Sequence, residues 1–152
     1  DLDLYYHNHH VEFQKLNGQY VLDILKSNTP HMGFELDVHW IWRGGENPVE
    51  MIKKYNGRVD LLHLKDYRIK NIPNDICKQS NFGSYMDYFN SCIEFAEVGS
   101  GNLDMNTIID TGLSAGSKYF IIEQDETYDK DPFESLNISA VNLRKMGYEE
   151  LF

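Results

Sequence analysis

The sequence predicts an α/β protein made of about four consecutive strand–helix units. Short apolar runs alternate with stretches that carry helical periodicity or helix-capping residues, and a His, Asp or Glu stands at or just after the end of each apolar run. This alternation is typical of a parallel sheet covered by helices. No linker or low-complexity stretch divides the 152 residues, so we expect one domain spanning residues 1–152.

The boundaries of these units follow from turn and capping residues. Strands are predicted at residues 3–7, 32–37, 59–64 and 119–123, and helices at 18–27, 48–57, 105–115 and 132–145. The first helix has to end before Pro30. Asn47 is placed to cap the second helix with Pro48 at its first position, and Gly57 is placed to end it.

Residues 67–95 break the pattern. They include Pro73, Gly83, several Asn and several aromatic residues, and they show only weak periodicity. A loop of this length within a compact domain is more often a lid or a binding loop than a simple connector.

The polar residues at the strand ends favour a barrel over an open sheet. An open flavodoxin-like sheet would account for the chain length. However, His7, Asp37, His63 and Glu123 all fall at the C-terminal ends of predicted strands, and barrel enzymes gather their functional groups there. A closed TIM (β/α)8 barrel needs eight strands, and the chain begins at Asp1 without Met. We therefore expect half of a TIM barrel, as a fragment that lacks the N-terminal units.

Two imidazoles and two carboxylates that meet at one point are costly to bury without compensation. A divalent cation would compensate them, and this mixed nitrogen and oxygen set suits Mn, Co, Zn or Fe better than Ca, while Mg is less suited to imidazole ligands. Such a metal polarises a carbonyl and hydroxyl pair while nearby bases move a proton. Individually, His7 could lie in a solvated turn with His9 and His10, Asp37 could cap the next segment, and His63 could be a core histidine. Their recurrence at strand ends favours the metal site.

Composition limits the classes of partner. The chain has 14 basic and 24 acidic residues, a net charge of -10, which argues against nucleic acid and anionic membranes as partners. No run approaches the roughly 18 apolar residues of a membrane helix, and the first ten residues do not resemble a signal peptide. We expect a cytoplasmic protein in which Cys77 and Cys92 are unpaired thiols, with a single disulfide as the alternative.

Five segments in order resemble the sugar phosphate isomerase/epimerase family of xylose-isomerase-like TIM barrels, in the AP endonuclease family 2 superfamily. The segments are YHNHHVEF at 6–13, ELDVHW at 35–40, NPV at 47–49 with LHLKD at 62–66, EVGSG at 97–101 with Asp104, and IEQD at 122–125. The resemblance covers nearly the whole chain and matches the C-terminal half of that barrel, its strands five to eight.

The resemblance implies a metal-dependent isomerase, epimerase or dehydratase that acts on a sugar, sugar phosphate, cyclitol or related polyol. Members of the family usually bind their metal through Glu, Asp, His and Glu, and the two glutamates also serve as acid and base. Asp37, His63 and Glu123 match the last three ligands, whereas His7 stands where the first Glu is usual. Glu12 could fold back to replace that carboxylate, or His9 could serve as the base, and both alternatives stay open.

Four further residues are candidates for substrate contacts. Lys65 and Asp66 follow His63 and could bind substrate oxygens, with a surface ion pair as the alternative. Trp40 and Trp42 could wall a sugar ring, or could simply be packed in the core. Enzymes of the superfamily that cleave abasic DNA need further ligands and a basic groove, so the net charge and the position of Trp40, where an Asp-x-x-His pattern would have His, argue against that activity.

A non-catalytic sugar-binding or oligomerisation module is the alternative from a different class. A binding module should not change its ligand, whereas an isomerase should exchange a substrate C–H proton with solvent deuterium. Because half a barrel leaves its first and last strands uncovered, we expect either a second copy or the N-terminal half of the barrel to pack against them.

Overall fold

The structure is a computed structural model that describes residues 2–79 and 82–151, without the side chains of residues 77–79. The strands are β1 Tyr5–His7, β2 Lys15–Leu16, β3 Gln19–Tyr20, β4 Gly33–Asp37, β5 Leu61–Leu64, β6 Asp66–Ile69, β7 Ile93–Ala96 and β8 Tyr119–Ile122. The helices are α1 Val21–Asn28, α2 Val38–Arg43, α3 Pro48–Lys54, α4 Asn74–Gln79, α5 Phe82–Ser91, α6 Met105–Ser114 and α7 Pro132–Lys145. Two 3-10 turns lie at His10–Phe13 and Glu149–Leu151.

The centre of the fold is a four-stranded parallel sheet in the order β1-β4-β5-β8. These strands follow one another along the sheet in chain order, and helices connect them, as in consecutive units of a (β/α) barrel. The α/β class and the partial barrel are therefore confirmed. None of the helices in the described ranges is long and apolar enough to cross a bilayer.

The two faces of this sheet differ sharply in polarity because side chains alternate along each strand. Phe34, Leu36, Leu62 and Leu64 are all buried on the face that packs against the helices. The other face carries the strand residues between them. In the register of the sheet, His7 pairs with Glu35, and Asp37 pairs with His63. The polar residues predicted at the strand ends thus share one face.

Capping side chains start helices α2, α3, α6 and α7. The Oδ1 atom of Asn47 accepts hydrogen bonds from the backbone N–H groups of Val49 and Glu50, which confirms the predicted start of α3. Asp104 caps α6 through Thr107 in the same way. Helix α7 has the predicted bounds, with Asp131 as its cap. Gly57, at φ +78°, turns the chain toward β5 three residues after α3 ends.

Two short elements near the start of the chain differ from the prediction. Helix α1 begins at Val21 and not at residue 18, because Asn17 and Gly18 adopt positive φ angles of 52° and 83° in the tight turn between β2 and β3. An Asn-Gly pair is the residue pair that such hairpin turns prefer. Helix α2, directly after β4, was not predicted, since six residues give too little periodicity to detect.

The expectation of a long loop at residues 67–95 is wrong. Strands β6 and β7 pair in antiparallel fashion, and α4 and α5 lie between them. The pairing escaped detection because the two strands are short and 23 residues separate Ile69 from Ile93. Cys92 lies just before β7 as a free thiol, while the side chain of Cys77 lies outside the described part of the chain.

Candidate functional site

Four polar side chains converge at the C-terminal ends of the parallel strands. They are His7, Asp37, His63 and Glu123, and each offers one ligand atom within 4.8 Å of the others. His63 Nδ1 lies 3.1 Å from His7 Nε2 and 3.3 Å from Glu123 Oε2. Asp37 Oδ2 lies 3.3 Å from His7 Nε2 and 3.6 Å from His63 Nδ1. We call these four residues the ligand cluster.

These separations fit a metal ion at the centre of the cluster. Nitrogen and oxygen ligands that lie about 2.0–2.2 Å from a tetrahedral ion are about 3.3–3.6 Å from one another. The four separations just given run from 3.1 to 3.6 Å. All six separations among the four ligand atoms lie within 4.8 Å. Two imidazole nitrogens and two carboxylate oxygens could therefore hold a divalent transition metal after side-chain movements that bring Glu123 inward and shift the Lys65 ammonium from its Oε2 atom.

Asp37 links the cluster to the start of α2. Its Oδ1 atom accepts the backbone N–H of Trp40, which caps the helix, while Oδ2 faces the two histidines. Its own backbone N–H donates to Oδ1 of Asn8. Burial raises the pKa of the Asp37 carboxyl, but the hydrogen bonds with His63 and His7 and the charge of Lys65 outweigh burial, so the net pKa lies well below its usual value. The carboxylate therefore stays ionised.

The ring of His63 is held by carboxylates on both sides. Its Nε2 atom lies 3.2 Å from Glu35 Oε1, and Nδ1 faces the ligand cluster. Burial lowers the pKa of His63, but Asp37, Glu35 and Glu123 together raise it above its ordinary value. Sequence reasoning missed Glu35, although its position two residues before Asp37 on one strand places both side chains on the same face.

Lys65 is buried beside the ligand cluster and not exposed in a surface ion pair. Its Nζ atom lies 2.5 Å from Glu123 Oε2, 3.0 Å from Asp125 Oδ2 and 3.4 Å from Asp37 Oδ2. Burial lowers its pKa, but the three carboxylates reverse the effect and raise it. Lys65 is therefore a charged ammonium, and Asp125 is a second residue that sequence reasoning missed.

Aromatic rings surround one side of this site. Trp40 lies 5.5 Å from His9 and 6.0 Å from Phe95 between ring centroids, and the Lys65 ammonium lies 5.3 Å from its ring. Trp42 faces a separate groove, where it stacks on Tyr67 at 3.5 Å. The structure thus brings Trp40 to the cluster and places Trp42 against Tyr67 of the antiparallel β6–β7 pair.

His39 is fully buried within this aromatic wall. It contacts Trp40, Trp42, Tyr67 and Phe95 through its ring. Burial lowers its pKa to about 4, although the charge of Asp37 opposes the shift, so the ring is neutral at neutral pH. Phe95 was not predicted because it lies in the segment taken for a loop.

Glu12, one of the predicted site residues, has a structural role instead. Both oxygens of Glu12 are engaged locally, one by the Tyr6 hydroxyl and the other by the backbone N–H of His9. Glu12 therefore does not replace the missing carboxylate of the cluster. His9 lies closer, with its ring centroid 4.8 Å from that of His7.

Asp66 is fully buried and is not placed to bind substrate. Its two oxygens accept four backbone N–H groups, from Tyr67, Gly99, Gly101 and Leu103. A carboxylate whose lone pairs are taken in this way fixes the loop before α6. Gly101 is required there, because a Cβ atom would collide with the carbonyl oxygen of Tyr67 and with Asp66 itself.

Solved structures with a similar fold include sugar phosphate isomerase/epimerase proteins and a xylose isomerase domain protein. Two crystal structures of a sugar phosphate isomerase/epimerase from Parabacteroides distasonis are 23% and 24% identical and align with 94% and 93% of this chain, each with a TM-score of 0.66. A xylose isomerase domain protein from Planctomyces limnophilus is 18% identical over 95% of this chain, with a TM-score of 0.56. The aligned part is 45%, 45% and 46% of those chains, respectively.

No protein-family model matches the sequence. No curated protein matches it either. The relationship therefore rests on the fold, and the chain spans a little under half the length of these structures. The sheet has four parallel strands in the order β1-β4-β5-β8, and the chain aligns with 45% of a similar structure. Both observations indicate half of an eight-stranded barrel. The chain has the fold of half a TIM barrel, of the kind found in sugar phosphate isomerase/epimerase and xylose isomerase domain proteins.

Proposed function

We propose that this chain carries the metal-binding half of a sugar isomerase or epimerase, which moves a proton next to a carbonyl group. The convergence of His7, Asp37, His63 and Glu123 within 4.8 Å carries the proposal. The fold shared with sugar isomerase/epimerase structures supports the substrate class. In this assignment the four parallel strands are the fifth to eighth strands of the barrel.

The ligand cluster would hold one divalent cation. Its two nitrogens and two oxygens favour Mn, Co, Zn or Fe over Mg. When bound, such an ion polarises the carbonyl oxygen of a substrate and makes the neighbouring C–H more acidic. Asp37 is suited to anchoring the ion, because its carboxylate stays ionised and α2 fixes its orientation.

Proton transfer would use groups beside the cluster. Glu123 is the first candidate, since it directly follows β8 and belongs to the ligand cluster. Glu35, which contacts His63, is a second candidate for proton transfer and would supply the carboxylate that the resemblance leads us to expect at the position of His7. His9 is exposed and lies against the ring of His7, so it is an alternative base.

The two outer strands indicate where a partner would bind. Among the described residues, β1 pairs only with β4 and β8 pairs only with β5, which leaves a free backbone edge on each side. Tyr119 on β8 and Leu4 beside β1 are largely exposed. Uncovered edges of a parallel sheet invite pairing, so we propose that the N-terminal half of the barrel, or a second copy, covers them.

Metal content provides the primary test. The purified protein should contain about one equivalent of a transition metal by elemental mass spectrometry, and the double variant His63→Ala, Glu123→Ala should lose it. The matched control is His31→Ala with Glu134→Ala, which removes the same residue types at exposed positions. If the control loses the metal equally, or if a folded wild-type protein binds none, the metal site is refuted.

Substrate turnover separates an enzyme from a binding module. Incubation with sugars in deuterium oxide should exchange one C–H proton in a metal-dependent manner, detected by NMR. The contact between Lys65 and Glu123 favours the alternative of a sugar-binding module, because an internal ammonium already neutralises that carboxylate. Sugar binding without any exchange would support that alternative.

A further inference from the structure

The space around the ligand cluster is strongly acidic. The carboxylates of Asp37 and Glu123 belong to it, that of Glu35 contacts His63, and that of Asp125 contacts Lys65. The Lys65 ammonium pairs with Asp37, Glu123 and Asp125. A divalent ion in the cluster would still leave an excess of one negative charge when the histidines are neutral. A phosphate monoester, which carries nearly two negative charges at neutral pH, would be repelled there.

The nearby cations are already engaged. Three carboxylates surround the Lys65 ammonium, so little of its charge is available to a phosphate group. Arg68 and Lys130 pair with the buried Glu97. Arg43 is a further cation close to the site among the side chains that the structure describes, with its guanidinium 5.8 Å from the Trp40 ring, and it is therefore included in the test below.

The loops that usually bind phosphate in TIM barrels are acidic in this chain. Such sites are commonly built from the loops after the seventh and eighth strands together with a helix N-terminus. In the proposed assignment, β5 and β8 are those strands. A strand, β6, directly follows β5, and Asp66 takes up the backbone N–H groups of the adjacent loop. The loop after β8 carries Asp125, Glu126 and Asp129.

Neutral polar atoms around the cluster lack partners. Asn8 Nδ2, Trp40 Nε1 and Gln124 Oε1 are buried, and none of them has a hydrogen-bond partner among the described residues. Two of these residues contact the ligand cluster: Asn8 Oδ1 accepts the backbone N–H of Asp37, and the backbone N–H of Trp40 donates to Asp37 Oδ1. Gln124 is the neighbour of Glu123 in the chain. Unpaired buried donors and acceptors are costly, and sugar hydroxyl groups can both donate and accept.

We propose that the site takes an uncharged polyhydroxylated sugar and discriminates against its phosphate ester. This inference rests on the proposed function, because it concerns the substrate of the same metal site. The carboxylates repel a phosphate group, Lys65 is saturated by its own acidic partners, and neutral amide and indole groups are left to bond hydroxyl groups.

Competitive binding tests the proposal directly. The Mn²⁺-loaded protein is titrated with free ketopentoses and ketohexoses and with the same sugars as phosphate monoesters, with binding followed by calorimetry and by ligand-observed NMR. The best free sugar should bind at least about 10-fold more tightly than its phosphate ester, a difference of roughly 1.4 kcal/mol. Millimolar inorganic phosphate should not displace the free sugar.

Charge variants locate the cause of the discrimination. Asp125→Asn removes one carboxylate from Lys65. The ratio of the Kd of the phosphate ester to the Kd of the free sugar should therefore fall by about 3-fold or more. Glu50→Gln removes the same charge at an exposed position that pairs with Lys53 and should leave the preference unchanged. Arg43→Gln should also leave it unchanged, whereas a selective loss of phosphate-ester binding in this variant would identify Arg43 as a phosphate ligand and refute the proposal.

The outcomes separate this inference from the function on which it rests. Tighter binding of the phosphate esters, or displacement of the free sugar by inorganic phosphate, would overturn the inference. Neither result would contradict the proposed function of a sugar isomerase or epimerase. If neither form of any sugar binds while Mn²⁺ does, both the inference and the proposed function are wrong. Preference for free sugars that narrows in Asp125→Asn supports the inference.

Discussion

Asp37 Oδ2 lies 3.3 Å from His7 Nε2, although the two residues are 30 positions apart in the sequence. The parallel register of β1 and β4 produces this contact, because it pairs His7 with Glu35. Asp37 is two residues after Glu35, so its side chain lies on the same face of the sheet. β5 adds His63 opposite Asp37. The site is therefore a property of the sheet as a whole, and it forms only when the strands are in register.

Asp37 is expected to dominate metal affinity. Replacing it by the isosteric amide in Asp37→Asn removes an ionised ligand and should weaken Mn²⁺ or Zn²⁺ binding by at least about 100-fold, measured by calorimetric titration. Asp60→Asn is the matched control, because Asp60 instead pairs with Lys118 and Tyr5. Equal loss of affinity in both variants would argue that net charge, and not coordination, governs binding.

Glu35 is expected to orient His63. An acceptor at Oε1 favours the ring form with the proton on Nε2 and leaves Nδ1 for the metal. Glu35→Leu should reduce metal affinity by about 10–100-fold, and ¹⁵N NMR should show a mixture of His63 tautomers. Glu35→Gln keeps an amide oxygen as the acceptor. Compared with Glu35→Leu, it should therefore restore much of the metal affinity and of the single His63 tautomer. A single unchanged tautomer in Glu35→Leu would exclude this role.

Asp66 is expected to stabilise the fold and not to take part in chemistry. Asp66→Asn replaces one acceptor oxygen by an NH2 group that faces backbone N–H donors, and this should lower the free energy of unfolding by roughly 3 kcal/mol, measured by urea denaturation. Asp104→Asn should change it little, since Asn caps helices as well as Asp does. A marked loss of sugar affinity in a stable Asp66→Asn protein would contradict this assignment.

Glu97 is expected to make stability depend on acid pH. Burial raises its pKa, but hydrogen bonds with its own backbone N–H, with Lys130 and with Ser135 outweigh burial and lower the pKa below 4.5. The ionised group therefore stabilises the fold above about pH 4.5, and this contribution disappears as the pH falls through the lowered value.

Urea denaturation of Glu97→Gln across this range checks the prediction. The variant should be less stable than the wild type by about 1 kcal/mol near neutral pH, and the difference should shrink as the pH falls through the lowered pKa of Glu97. Glu134→Gln, which replaces an exposed acid in the first turn of α7, is the control and should not show the same narrowing. A difference that stays constant with pH would mean that Glu97 acts through packing alone.

Local patterns predicted the four parallel strands and helices α1, α3, α6 and α7, although the ends of α1 and α3 are shifted. Asn47-Pro48 and Asp131-Pro132 mark helix starts because a cap and a proline act within one turn of the backbone. The alternation of polar and apolar residues on β4 places Asp37 on the face opposite Leu36 for the same local reason. The prediction of a loop at residues 67–95 failed because β6 pairs with β7, a strand far from it in the sequence, and local patterns do not show such a pairing.

The sequence by itself determined the α/β class, the parallel strands and the four residues of the ligand cluster, since strand ends and side-chain alternation are written into short stretches of chain. Only the tertiary structure decided how the neighbouring residues divide their roles. Glu35 and Lys65 contact the cluster, and Asp125 contacts Lys65. Glu12 accepts the backbone N–H of His9, and the buried Asp66 accepts four backbone N–H groups. Those roles depend on contacts between segments far apart in the chain, and such contacts exist only once the sheet has formed.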